Sequence, residues 1–118
     1  MPRVTVGIPV FNGADLLPKA IESVLSQNYK DFEILVLDDG STDNSAEVAA
    51  KYPCRVLTVP NAGLSSARKT MVDEARGELI GFLDHDDEWL PELLEKSIAK
   101  IDDEGFDLVH SDGYYVHE

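Results

Sequence analysis

Four short apolar runs alternate with segments of helical periodicity, and that alternation is what most restricts the fold this chain can adopt. The runs are Val4-Thr5-Val6-Gly7-Ile8, Glu33-Ile34-Leu35-Val36-Leu37-Asp38, Arg55-Val56-Leu57-Thr58-Val59 and Leu79-Ile80-Gly81-Phe82-Leu83. Each is short, mostly apolar and rich in β-branched residues, as buried strands are. Between the first two, Leu17, Ala20, Ile21, Val24 and Leu25 recur at three- and four-residue spacing, and Pro18 falls where the first turn of a helix tolerates it. A second helix is predicted over 43–51, capped by Thr42 or Asp43, and a third begins at Ser65 or Ser66 with Gly77 as the residue after its end. A fourth starts around Pro91, with Leu90, Leu93, Leu94, Ile98 and Ile101 on one side. Further strands are predicted over 107–110 and 114–116, and Pro9 is expected to end the first strand.

Strands alternating with helices predict a Rossmann-like α/β fold, a mostly parallel sheet with helices on both faces. Right-handed crossovers then bring the strand ends to one edge, where open α/β sheets bind ligands. The residues leaving the strands there are Pro9-Val10-Phe11-Asn12, Asp38-Asp39-Gly40-Ser41, Asn61-Ala62-Gly63 and Asp84-His85-Asp86-Asp87. With 118 residues the chain has room for a single domain and one modest core.

The formal charge of −13 works against phosphate backbones and anionic lipid, so a nucleic-acid or membrane-surface role is disfavoured. Such a charge serves solubility, or it gathers acids around a cation that in turn holds a phosphorylated ligand. Cys54 is the single cysteine, so no intrachain disulfide forms, which fits a reducing compartment. No stretch reaches transmembrane length.

The acids after the fourth strand carry the strongest chemical signal. Asp84, Asp86 and Asp87 repel one another, and a hard cation such as Mg²⁺ or Mn²⁺ relieves that repulsion when a diphosphate supplies further oxygens. Taken alone, the same acids equally suit the solvated start of the next helix. An EF-hand is ruled out because its sixth position requires Gly and the chain has Trp89. A haloacid-dehalogenase-like phosphatase also places Asp-x-Asp after a strand, but Glu88 and the late position of the motif weaken that alternative. A receiver-type phosphotransfer module needs an acid pair after the first strand, where the chain has Phe11-Asn12. Asp39 either accepts the imide hydrogen of a uracil-like base or belongs to an acidic turn. Arg68 pairs with carboxylates or reaches a phosphate. His85 reads as a loop side chain rather than a metal ligand, and the G-x-G-x-x-G fingerprint of dinucleotide-binding domains is missing.

Taken together, Ile8-Pro9-Val10-Phe11-Asn12, Ser23-Val24-Leu25-Ser26-Gln27, Asp31-Phe32-Glu33-Ile34, Asp38-Asp39-Gly40-Ser41-Thr42-Asp43, Asn61-Ala62-Gly63-Leu64-Ser65-Ser66-Ala67-Arg68 and Phe82-Leu83-Asp84-His85-Asp86-Asp87 stand in an order that resembles the amino-terminal half of family 2 glycosyltransferases with the GT-A fold. The resemblance spans about residues 4–94 and implies transfer of a sugar from a nucleotide diphosphate, with a UDP-sugar as donor, Mn²⁺ or Mg²⁺ as cofactor and inversion at the anomeric carbon. It implies that Pro9 and Phe11 line the base and ribose pocket, with Phe11 where the family more often has Tyr. It further implies that Asp39 binds the base, Arg68 lies near base or phosphates, Asp84 lies by the ribose or metal, and Asp86 coordinates the metal. The family draws its general base from a later segment. Residues 1–118 are therefore expected to form one nucleotide-sugar-binding domain, a truncated catalytic domain without its base. The acceptor is left open as a saccharide or a lipid-linked group. A cytoplasmic setting is expected, with any membrane association carried by sequence outside these residues. Self-association through uncovered sheet surface is expected as well.

Overall fold

The computed structural model of the chain describes residues 2–104, 108–109 and 114–116. Its elements follow the order β1 (Val4–Val10), α1 (Leu17–Leu25), β2 (Phe32–Asp39), α2 (Ser45–Ala49), β3 (Arg55–Val59), α3 (Leu64–Glu74), β4 (Leu79–Phe82), α4 (Leu93–Glu104), β5 (Leu108–Val109) and β6 (Tyr114–Val116). They build a six-stranded sheet in the order β3-β2-β1-β4-β6-β5. β1, β2, β3 and β4 are parallel, and β6 runs antiparallel to both β4 and β5. The predicted mostly parallel α/β sheet is what forms, with β6 as the strand whose end points away from the common edge.

The strand order explains where the helices go. From β1 to β3 the chain moves one way across the sheet, and from β3 it returns past β1 to β4. A right-handed crossover taken in the opposite direction falls on the opposite face. Accordingly Val4, Val6, Ile8 and Val10 of β1 and Ile34 and Val36 of β2 pack against α1 and α2 through Leu17, Ile21, Val24 and Ala49, and Leu94 and Ile98 of α4 join the same cluster. Leu35, Leu37 and Ile80 pack on the other face against Ala67 and Met71 of α3. Every residue of β1 is buried, as a strand flanked on both sides and covered on both faces must be.

Several boundaries differ from the sequence expectation, each for a local reason. β1 continues through Pro9 to Val10 instead of stopping at the proline. Gly7 pairs with the last residue of β4, Phe82, so the side of Pro9 that lacks an N–H faces past the end of that neighbour and no ladder bond is lost. α2 is five residues long because Asp43 and the residues before Ser45 are engaged in the turn rather than the helix, and Asn44 stands at its N-cap. α3 starts at Leu64 behind Gly63. α4 begins at Leu93, and Leu90 lies before it, 70% exposed, rather than on the apolar side with Leu94, Ile98 and Ile101. The fifth strand is Leu108–Val109; Asp107 and His110 lie outside the described residues.

Gly77 does not terminate α3, which ends at Glu74 with Ala75 extended. Its N–H donates to Thr5 Oγ1, and a Cβ there would lie 2.7 Å from Thr5 N and 2.8 Å from Arg3 O. The β1 backbone occupies the space any side chain would need. Gly77→Ala is expected to destabilise the fold by about 1–3 kcal/mol, the usual cost of forcing atoms into packed space, measured as a lower urea midpoint at unchanged slope.

Away from the site edge, Glu33 collects donors from three residues. Thr5 Oγ1 donates to it at 2.6 Å, the Arg76 N–H at 2.8 Å and Arg55 Nε at 3.2 Å, while Arg55 also donates to Glu74 O. Burial pushes the Glu33 carboxyl up, but these bonds and the Arg55 charge outweigh it and hold it below the ordinary glutamate range. A depressed folded-state value contributes stability that is present at neutral pH and is lost as pH falls through that value. The stability of the parent should therefore fall more steeply than that of Glu33→Gln once the pH drops below about 4.3, while at neutral pH the variant is the less stable. Parallel acid titrations of unfolding free energy check both signs.

Candidate functional site

The order β3-β2-β1-β4 reverses direction between β1 and β4, and a cleft of about 440 Å³ opens at the C-terminal ends of these strands. It is lined by Pro9, Val10 and Phe11 after β1, Asp39 at the end of β2, Asn61, Gly63, Leu64 and Ala67 after β3, and Asp84, His85 and Asp86 after β4. All four predicted strand exits thus meet in one place.

Polar bonds hold the exits in register. Asp39 is 6% exposed, and its carboxylate accepts the Ala62 N–H at 3.0 Å and the Gly63 N–H at 3.1 Å, which ties the β3 exit to β2. Gly40 has φ +72°, and a Cβ would lie 2.5 Å from Asn61 N, so the turn requires glycine on both counts. Asp38 is buried and accepts the Ser41 N–H at 3.0 Å, supporting the turn as its position implied. The β1 exit is bonded to the β2 exit. Gly13 N donates to Ser45 Oγ at 3.2 Å, and Ala14 N donates to Asp43 Oδ2 at 3.2 Å. The Ser45 hydroxyl, with the Ala14 and Ser45 N–H groups, holds the Asp43 carboxyl below its usual range. His85 closes the circuit, because its ring lies against Gly13 so tightly that a Cβ there would run into it.

The loop after β4 is anchored from below as well. Ser23 Oγ accepts the Trp89 N–H at 3.1 Å. Gln27, fully buried, donates to Leu90 O at 2.7 Å and accepts the Leu94 N–H at 3.0 Å. These two side chains of the Ser23–Gln27 stretch fix where the chain goes once it has delivered its acids.

Pro9, Phe11, Asp39, Asp84 and Asp86 are brought together as the sequence predicted. Phe11 is 47% exposed and Leu64 50% exposed, so two apolar surfaces stand open at the cleft. Arg68 is placed differently from the rest. It is exposed on α3, with its guanidinium 5.4 Å from the centre of the Phe82 ring, and it is not among the residues lining the cleft. His110, Asp112 and His117 lie outside the described residues. Sequence reasoning passed over the bonding roles of Asn12, Ser41, Asp43 and Ser45. Their one local signal is the Asn-Gly pair at 12–13, a common place for positive φ.

Asp84 and Asp86 are exposed, and among the described residues no hydrogen bond or ion pair engages their carboxylates. Also among the described residues, no three His, Cys, Asp or Glu side chains converge as a metal cage. The pair therefore fits a hard cation that takes most of its ligands from a diphosphate and water, as Mg²⁺ and Mn²⁺ do, and does not fit an all-protein metal site. No helix of the described residues is long and apolar enough to cross a membrane.

Comparison with known proteins agrees with this geometry. The uncharacterized glycosyltransferase EpsJ of Bacillus subtilis is 34% identical over 120 residues, covering 98% of this chain and 35% of EpsJ. The crystal structure of S. aureus TarS in complex with UDP-GlcNAc matches with a TM-score of 0.85 and 28% identity, over 90% of this chain and 33% of that one. The mannosyltransferase PcManGT from Pyrobaculum calidifontis, in complex with GDP-Man and Mn²⁺, matches with a TM-score of 0.78 and 26% identity, over 91% of this chain and 34% of that one. The chain spans about a third or less of the length of the curated relatives it matches. The glycosyl transferase family 2 profile matches residues 5–117, and the chain belongs to that family.

Proposed function

We propose that this chain binds the nucleotide-diphosphate sugar, a UDP-sugar, of a glycosyltransferase that passes the sugar to an acceptor with inversion. The observation that carries this reading is a single cleft in which an open aromatic surface, a base-sized acceptor group and two unengaged carboxylates meet at the sheet's direction reversal. Phe11 and Pro9 offer a surface for a flat base and its ribose, and Leu64 adds apolar surface. Asp39 keeps acceptor capacity after its bonds to the 61–63 loop, since a carboxylate offers about four lone-pair sites. Asp84 and Asp86 would hold the cation, with Asp86 as the direct ligand; bound there, a divalent cation neutralises the charge of the departing diphosphate. The UDP-GlcNAc complex of TarS and the GDP-Man and Mn²⁺ complex of PcManGT support a nucleotide-sugar donor and a metal.

Arg68 would reach the donor only by leaving Phe82, a rearrangement within range of an exposed side chain on a surface helix. Transfer also requires a base within hydrogen-bond reach of the attacking hydroxyl. Asp39 is assigned to the donor's base and to the 61–63 loop, and the His85 ring is packed against Gly13. We therefore place the base, together with the acceptor site, outside the described cleft. The family match leaves the phosphatase and receiver readings without support.

UDP should bind in the presence of Mn²⁺, and Asp86→Ala should weaken that binding by at least about tenfold, or 1.4 kcal/mol, in titration calorimetry with an unchanged melting profile. Wild-type affinity in the variant would remove Asp86 as the ligand. For the base contact, Asp39→Asn replaces one carboxylate oxygen with an N–H donor and so also costs one of the two loop bonds, for which pyrophosphate is the control. It should weaken UDP–Mn²⁺ by about tenfold and pyrophosphate–Mn²⁺ by less than about threefold. Equal losses for the two ligands would place Asp39 with the loop alone.

A further inference from the structure

We propose that Asn12 is a positioning residue for the donor's base, holding Phe11 and Asp39 at the spacing a nucleotide must fit. The inference deepens the donor-nucleotide reading above and rests on it. Asn12 has φ +51°, and among the described residues it is the non-glycine residue with positive φ. That conformation is disfavoured for an L-residue, although asparagine tolerates it better than most, and here the surroundings impose it. Burial does not impose it, because Asn12 is exposed.

Hydrogen bonds do. The Asn12 N–H donates to Ser41 Oγ at 2.9 Å. Its side-chain Oδ1 accepts the Thr42 N–H at 2.7 Å, the Thr42 hydroxyl at 3.2 Å and the Asp43 N–H at 3.3 Å. One exposed side chain thus gathers the donors of a turn that belongs to no helix or strand. The consequences run in both directions along the chain. Backwards, the left-handed turn follows directly on Phe11, whose half-exposed ring lines the cleft, so the backbone at Asn12 governs where that ring stands. Forwards, Thr42 is three residues from Asp39. The residues between are already restrained, Gly40 by its contact with Asn61 and Ser41 by its bond to Asp38. Tethering Thr42 to Asn12 removes the remaining slack. The base pocket would then owe its width to a residue that does not touch the base.

Three proteins separate this role from a merely structural one: the parent chain, Asn12→Gly, which keeps the positive φ and removes Oδ1, and Asn12→Asp, which keeps an acceptor oxygen and tolerates the same backbone. Asn12→Gly is expected to fold, to lose about tenfold or more in UDP–Mn²⁺ affinity, and to keep pyrophosphate–Mn²⁺ affinity within about twofold. Asn12→Asp is expected to recover UDP affinity to within about threefold of the parent. Amide hydrogen exchange at Thr42 and Asp43 should be about tenfold faster in Asn12→Gly than in the parent and slow again in Asn12→Asp. If the parent binds UDP and Asn12→Gly binds it equally well, Asn12 has no positioning role. Equal losses for UDP and pyrophosphate, or no recovery in Asn12→Asp, overturn the base assignment as well. A parent that binds no UDP at all overturns the donor reading itself and the base role with it. That result is distinguishable because it appears before any substitution is made.

Discussion

Parallel pairing of β1 with β2 on one side and β4 on the other is the constraint on which the rest of the molecule depends. Because β1 is central, the chain must leave it in one direction and later return past it, and handedness then sends α1 and α2 to one face and α3 to the other. The two departures also separate the loops above β1 and β4, and the cleft is what that separation leaves. The packing reflects the same demand. Gly7 lies where β1 meets α3, and a Cβ there would sit 2.9 Å from Met71 Sδ and 3.3 Å from Phe82, so the helix approaches the sheet closely only because that position is bare.

An edge built from four loops has to be kept from fraying, and acidic side chains do most of that work here. Asp38, Asp39 and Asp43 each accept backbone N–H bonds within the rim, and Glu33 does the same at the start of β2. A carboxylate that accepts two or three such bonds has much of its charge balanced and is a poorer cation ligand, although a lone pair remains for a further donor. Asp84 and Asp86 differ in this respect: they reach the same rim with no donor from the described residues. Among acids of nearly the same sequence setting, hydrogen-bond accounting separates those that hold the loops from those left to meet a cation.

That distinction marks the limit of what the sequence could tell. The strands, α1 and the meeting of the four exits were legible because burial on both faces leaves apolar runs and because handedness decides the edge. The family motifs placed Phe11, Asp39, Asp84 and Asp86 together, and the structure brings them to one cleft. Gly77 was misread because a glycine after an apolar helix looks the same whether it relieves a left-handed turn or makes room for a neighbouring strand. Leu90 was misread because its spacing fits a helix that starts only at Leu93. The partners of Asn12 lie about 30 residues away, so no local pattern announced them. The placement of Arg68 over Phe82 is likewise a tertiary fact, since those residues meet only after α3 packs on the sheet.

The strong negative charge of the chain, −13 overall, is compatible with a phosphorylated ligand for a specific reason. A free diphosphate approaching Asp84 and Asp86 would meet like charge in an open cleft, and the nearest guanidinium on α3 is held over an aromatic ring rather than inside that cleft. With a divalent cation between them, the sign of the interaction reverses on both sides at once: the carboxylates gain a partner, and so does the diphosphate. Under the proposed reading, then, neither the metal nor the nucleotide is a strong ligand alone. The acidic loop makes each conditional on the other, while Phe11 and Asp39 add contacts that only a nucleoside can use. Bare phosphate would be rejected by charge and bare nucleoside held weakly, and the combination that satisfies every group in the cleft is the metal-bound nucleoside diphosphate.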